Sequence, residues 1–167
     1  LHGCGYTSAR LKTKARDGTV LFAKLYGRIE FRAKVPWGKG LWPALWMLPV
    51  DDTYGGWAAS GEIDLMEIVG EKPHEVLNSI HFGSVYPKRS LITTVHQLPG
   101  GSTVSDWHTY AVEWEPGAIR FTAAATTCDR GTSTAEPSLS SRHQSDPLAS
   151  TMPRCVTPAT SRATSRP

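Results

Sequence analysis

Three carboxylates fall within six positions of this 167-residue chain, at Glu62, Asp64 and Glu67, set among Ile63, Leu65, Met66 and Ile68. Charged groups in an apolar strand are costly to bury, so a cluster of them calls for a shared role. By the two-residue period of a β-strand, Ile63, Leu65 and Ile68 read as the buried side, with Glu62 and Asp64 facing the other way. Glu67 breaks that period, because strict alternation would turn it toward the core. A β-bulge near Leu65 and Met66 inserts one extra residue and brings Glu67 back to the face of the other two.

With the bulge, the Cα atoms of Glu62 and Glu67 stand four strand steps apart, roughly 13 Å. Inward lean of the two side chains leaves on the order of 5 Å between carboxyl groups. That gap suits cleavage of a glycosidic bond with retention, in which one carboxylate attacks the anomeric carbon and the other protonates the leaving oxygen. Inversion needs a wider gap that admits a water. Asp64, between them, can hydrogen-bond and orient the nucleophile. Its negative charge, with that of Glu62, is expected to raise the pKa of Glu67 and keep it protonated as the acid.

The segments that must position these acids carry a resemblance. Tyr26-Gly27-Arg28-Ile29-Glu30-Phe31 runs on to Pro36, Gly40-Leu41-Trp42-Pro43-Ala44-Leu45-Trp46 follows, and the acid strand lies between Gly61 and Gly70. Together they resemble glycoside hydrolase family 16, in particular its laminarinase-like endo-β-1,3-glucanases, over residues 6 to 120. The resemblance implies that Glu62 is the nucleophile, Asp64 its assisting acid and Glu67 the general acid/base. It implies an all-β fold: a concanavalin-like jelly-roll β-sandwich of two curved antiparallel sheets, with the cleft across the concave one. The bulged spacing is similar to that of the laminarinase branch, whereas lichenases and xyloglucan transglycosylases lack the extra residue.

Aromatic residues fit a sugar cleft, since pyranose rings offer apolar faces that stack on indole. The six tryptophans, Trp37, Trp42, Trp46, Trp57, Trp107 and Trp114, all precede residue 120. Trp42 and Trp46 match family positions that line the cleft; core packing is the other reading, more so for Trp46. Trp57, in a Gly-rich stretch, is expected at the cleft rim. His81, opposite in facing to Ile80 and Phe82, resembles the family histidine that reaches the acid end of the catalytic strand and the sugar beyond. Arg28 has two readings, a contact with sugar hydroxyls or a surface salt bridge with Glu30 or a neighbour. The alternating strand Trp107 to Trp114 reads as core, with no catalytic role.

Composition agrees with short strands joined by turns: Gly and Pro number 15 and 12. The net charge of +3 conceals a balanced body, since residues 1–120 hold 13 of the 18 Lys and Arg and 12 of the 15 Asp and Glu. No basic stripe for nucleic acid results, and no apolar run approaches membrane-spanning length. Cys4, Cys128 and Cys155 offer neither a metal motif nor a closed disulfide framework.

Both ends are expected to be irregular. The chain opens on Leu1 and enters at Tyr6-Thr7-Ser8-Ala9-Arg10, which resembles a mid-domain strand of the family. The expectation is therefore a domain truncated at its N-terminus, with residues 1–120 as a partial catalytic domain and secretion inferred from the resemblance. In residues 121–167, 34 of 47 are Ala, Ser, Thr, Pro or Arg. That segment reads as a disordered or O-glycosylated linker, or as a frameshifted stretch disrupting the C-terminal part of the sandwich.

The expected protein is a secreted, monomeric, retaining endo-glycosidase acting on β-1,3-glucan or mixed β-1,3(4)-glucan. It requires no catalytic cofactor, and a structural calcium is implied for the complete domain. Two alternatives stand beside it: a non-catalytic β-glucan recognition protein on the same fold, and a hydrolase of another polysaccharide such as agarose or carrageenan.

Overall fold

A computed structural model describes residues 7–125, together with the backbone of 139–141 and 155–156. Among the described residues nine strands follow in order: β1 (Gly27–Ala33), β2 (Ala44–Pro49), β3 (Glu62–Glu67), β4 (Glu75–Phe82), β5 (Ser90–Gln97), β6 (His108–Glu115), β7 (Ala118–Ala125), β8 (Leu139–Ser141) and β9 (Cys155–Val156). One sheet has the order β1-β6-β7-β8 and the other β5-β4-β3-β2-β9, with every pairing antiparallel. The expected all-β sandwich is the observed architecture.

Sequence alternation explains why the sheets face each other. Along β6, His108, Tyr110, Val112 and Trp114 are buried while Glu113 and Glu115 are exposed. Tyr110 is flanked in register by Phe31 on β1 and Ala123 on β7, so one large ring fills the space that the small alanine leaves. These residues form one core with Leu45, Met47, Ile63, Leu65, Met66, Ile68 and Val76 of the other sheet. Trp114 thus has the core role expected of it, and its ring packs edge-on against Tyr26 at 4.9 Å.

The β6–β7 connection is the two-residue turn Pro116-Gly117, with Gly117 at φ +80°, a backbone region that glycine occupies without steric cost. Strand β7 then continues past the composition break at 120 and pairs with β6 as far as Ala125. The boundary expected at 120 therefore falls inside a strand. Of the remaining tail, β8 and β9 pair at the two sheet edges, and residues 126–138, 142–154 and 157–167 lie outside the described residues.

Candidate active site

The bulge is present and its register is explicit. On β4, His81 opposes Glu62, Ser79 opposes Asp64 and Leu77 opposes Glu67. Between the last two pairs β3 contributes Leu65 and Met66, both fully buried, against the single residue Asn78. On β2, Ala44 opposes Glu67 and Trp46 opposes Asp64. The three acids consequently occupy the outward face of the five-stranded sheet.

Asn78 makes the irregularity affordable. A bulge takes backbone groups out of the ladder, and a buried carbonyl without a donor costs about 1–3 kcal/mol. The buried Asn78 amide donates to the Leu65 carbonyl at 2.5 Å. Sequence reading passed over Asn78, although a polar residue at an inward position between Val76 and Ile80 is the available signal.

Each acid has a different environment. The Trp57 indole Nε1 donates to Glu62 Oε2. Glu67 accepts from Trp42 Nε1 at 3.0 Å and from Ser79 Oγ at 3.0 Å, and Ser79 Oγ lies 3.2 Å from Thr93 Oγ1. Asp64 is only 2 % exposed. Burial pushes its pKa up to about 9, and the charges of Glu62 and Glu67 and a hydrogen bond with Glu62 push the same way. The raised pKa favours the neutral form of Asp64, which can then donate to the Glu62 carboxylate.

Asp64 was expected to act through its negative charge; its raised pKa instead favours the neutral form. Depth of burial decides the outcome: the middle position of the trio is enclosed by β2 and β4, so ionisation is most costly there. The His81 Nε2 stands 3.2 Å from Asp64 Oδ2 without hydrogen-bond alignment, and that oxygen finds no donor among the described residues. Burial pushes the His81 pKa down; the Glu62 charge opposes this and the Arg89 charge adds to it. His81 therefore belongs with Glu62 and Asp64, while Ser79 attends Glu67.

The aromatic residues divide by role. Trp42, 60 % exposed, is delivered to Glu67 by a loop clamped against the segment after β3. Gly38 N donates to Gly70 O at 2.8 Å and Gly70 N to Leu41 O at 2.9 Å. A Cβ at Gly70 would meet Gly38 O at 2.1 Å, so only glycine permits this approach. Trp57 is fixed by its neighbours: its ring lies 5.4 Å from His81 and 6.1 Å from Tyr86, stacked on the latter, with the Arg89 guanidinium at 5.3 Å. Tyr86 N also donates to the Trp57 carbonyl at 3.1 Å. Trp46 is half-buried on the acid face, and the Arg10 guanidinium covers its ring at 4.2 Å.

Arg28 is not brought to the acids. It lies on β1 in the other sheet and pairs with Glu30 at 2.6 Å and Glu113 at 2.7 Å. Its salt-bridge reading is the one the structure contains. Such an exposed pair contributes about 0–1 kcal/mol.

A neutral Asp64 has a measurable consequence. Asn keeps a donor toward Glu62, so Asp64→Asn is expected to lose no more than about tenfold in kcat. Asp64→Ala loses the bond altogether; hydrogen bonds to charged groups are worth ~1.5–3 kcal/mol, or about 10–150-fold. Stability gives an independent reading. The carboxyl titrates at 3.8 ordinarily and about 9 in the fold, so the folded state holds a proton that the unfolded state releases. Stability then falls as pH rises between those values and levels off above the folded pKa. The Tm of Asp64→Asn should rise relative to the parent as pH is raised across that window; a constant difference would refute the raised pKa.

Comparison with known proteins places these features in context. The family model described as glycosyl hydrolases family 16 matches residues 4–138. Over 117 residues the chain is 45% identical to glucan endo-1,3-beta-glucosidase A1 of Niallia circulans, covering 70% of this chain and 16% of that one. It is 38% identical over 123 residues to a beta-1,3-glucan-binding protein of Penaeus monodon, covering 69% and 32%. The catalytic domain of an endo-1,3-beta-glucanase (laminarinase) from Thermotoga petrophila RKU-1 superposes with a TM-score of 0.63 at 28% identity, covering 87% of this chain and 54% of that structure. The chain spans less than half the length of the curated relatives it matches.

Proposed function

Because the chain belongs to glycosyl hydrolases family 16, we propose that it carries the catalytic face of a retaining endo-glycosidase acting on β-1,3-glucan of the laminarin type or on mixed β-1,3(4)-glucan. The observation that carries this reading is the asymmetry of the trio: Glu62 receives donors from Trp57 and a protonated Asp64, while Glu67 stands at the far side of the bulge under Trp42 and Ser79.

In the first step Glu62 attacks the anomeric carbon while Glu67 passes its proton to the departing glycosidic oxygen. The sugar is then held covalently by Glu62. In the second step Glu67 takes a proton from water, which displaces Glu62 with a second inversion and restores the starting anomer. Two donors on Glu62 keep the carboxylate in place and stabilise it as leaving group. Trp42, 60 % exposed beside Glu67, offers a ring face to a sugar flanking the cleaved bond, and Trp57, packed among Tyr86, His81 and Arg89, borders the Glu62 side.

Similarity to a glucan-binding protein favours a second reading, recognition without hydrolysis. The presence of all three acids argues against it, since binding alone needs no adjacent carboxylates. Release of reducing ends from laminarin, lichenan and agarose tests the proposal. Release from laminarin, alone or with lichenan, is expected; release only from agarose would replace the substrate, and binding of laminarin with no release from any polymer would favour recognition.

A further inference from the structure

The outward face of β2 extends beyond the acids. Alternation places Trp46 and Leu48 on the same side as Ala44, which opposes Glu67. Beside Trp46 and Leu48 lies a pocket of about 130 Å³, lined also by Pro49 and by Arg10, Lys12 and Lys14. Three cations therefore share one pocket that adjoins the catalytic trio and contains no carboxylate in its lining. None of the three has an ion pair among the described residues.

Two of the cations are held in place. The Arg10 guanidinium stands over the Trp46 ring at 4.2 Å, a cation–π contact that neutralises no charge. Lys14 Nζ donates to the Val50 carbonyl at 2.7 Å, which anchors the ammonium without neutralising it. The three cations make the pocket electropositive, and neutral sugar hydroxyls offer them no charge partner. Size narrows the occupant. The volume is below the ~300 Å³ of ordinary small-molecule pockets. It fits a substituent on a sugar better than a whole sugar chain.

We propose that this pocket is a subsite for an anionic substituent, a carboxylate or a sulfate ester, on a sugar seated beside Trp46. The chain would then favour a β-glucan modified with negative charge over its neutral parent. Arg10 supplies paired donors to two oxygens of the anion, and Lys12 and Lys14 supply further charge. The proposal rests on the β-glucan reading above.

The test measures binding by calorimetry to the Glu62→Gln chain, which does not consume its ligand. The probes are laminaritetraose, the same oligosaccharide oxidised to carboxylate at C6, and its 6-sulfated form. At low salt one or both anionic forms should bind about tenfold more tightly than the neutral one, and the advantage should shrink at high ionic strength. Which form gains distinguishes a carboxylate site from a sulfate site. Arg10→Gln with Lys12→Gln should erase the gain, whereas Lys34→Gln, beside Trp107 on the other sheet, should leave it. Neutral tetraose bound with no gain for either anionic form would overturn the subsite and leave the β-glucan reading standing. Anionic forms bound with no binding of the neutral one would support the subsite and overturn the reading for neutral glucan. Binding of none would overturn both. A gain that survives the double substitution, or falls equally in Lys34→Gln, would also overturn the subsite.

Discussion

Replacing Glu62 by Gln is expected to lower laminarin turnover by at least about 10⁴-fold while leaving oligosaccharide binding within a few-fold of the parent. The amide has nearly the shape of the carboxylate and still accepts from Trp57 Nε1 through its carbonyl oxygen. What it lacks is the lone-pair density and charge to displace a leaving group at the anomeric carbon, and removal of a covalent nucleophile costs ~10⁴–10⁶ in kcat. The role can be separated from mere structural support. Glu62→Ala opens space beside Trp57, and azide supplied there should restore cleavage of an activated aryl glycoside, giving a product of inverted anomeric configuration. Turnover of the Gln variant within tenfold of the parent would eliminate Glu62 as nucleophile.

Glu67→Gln should show a different signature, because a proton donor matters only to leaving groups that need one. Laminarin cleavage is expected to fall by about 10²–10⁴-fold, the usual share of general acid catalysis. A dinitrophenyl glycoside departs without protonation, so its first step should proceed at near the parental rate. The second step still lacks its base, and a burst of released phenol followed by slow turnover should result. The folded scaffold should persist, since the amide carbonyl can still accept from Trp42 Nε1 while its NH2 donates to Ser79 Oγ. Equal losses on both substrates, without a burst, would assign Glu67 to support and not to proton transfer.

The parts of the site legible from sequence are those that break a local rule. Glu67 violated strand alternation, and the bulge that reconciles it is visible in the register against both β2 and β4. Ser79 was equally legible, because alternation along β4 places it on the face of His81, yet a serine in a strand attracts no notice by itself. Location of the proton on Asp64 was not legible. It follows from how deeply β2 and β4 enclose the middle acid, a property of the assembled sheet and not of the motif. The two arginines make the same point. Arg28, within a strong motif, ended in the opposite sheet, while Arg10, given no site role by its segment, stands over Trp46. Tyr86 and Arg89 meet Trp57 because the β4–β5 connection folds back over it, and no periodicity announces such a contact.

The extra residue in β3 carries a consequence for how this motif tolerates insertion and loss. Distance along the sheet is counted in partner positions on β4, and by that count Leu65 and Met66 together occupy the single place facing Asn78. Removing one of them would straighten the strand yet leave Glu62 opposite His81 and the last acid opposite Leu77. Two motifs differing by one residue thus present the same span between attacking and protonating groups, and a shortened relative would keep its chemistry while releasing Asn78 from its backbone partner. Catalytic spacing is set by the neighbouring strand, which acts as the ruler for the strand bearing the acids.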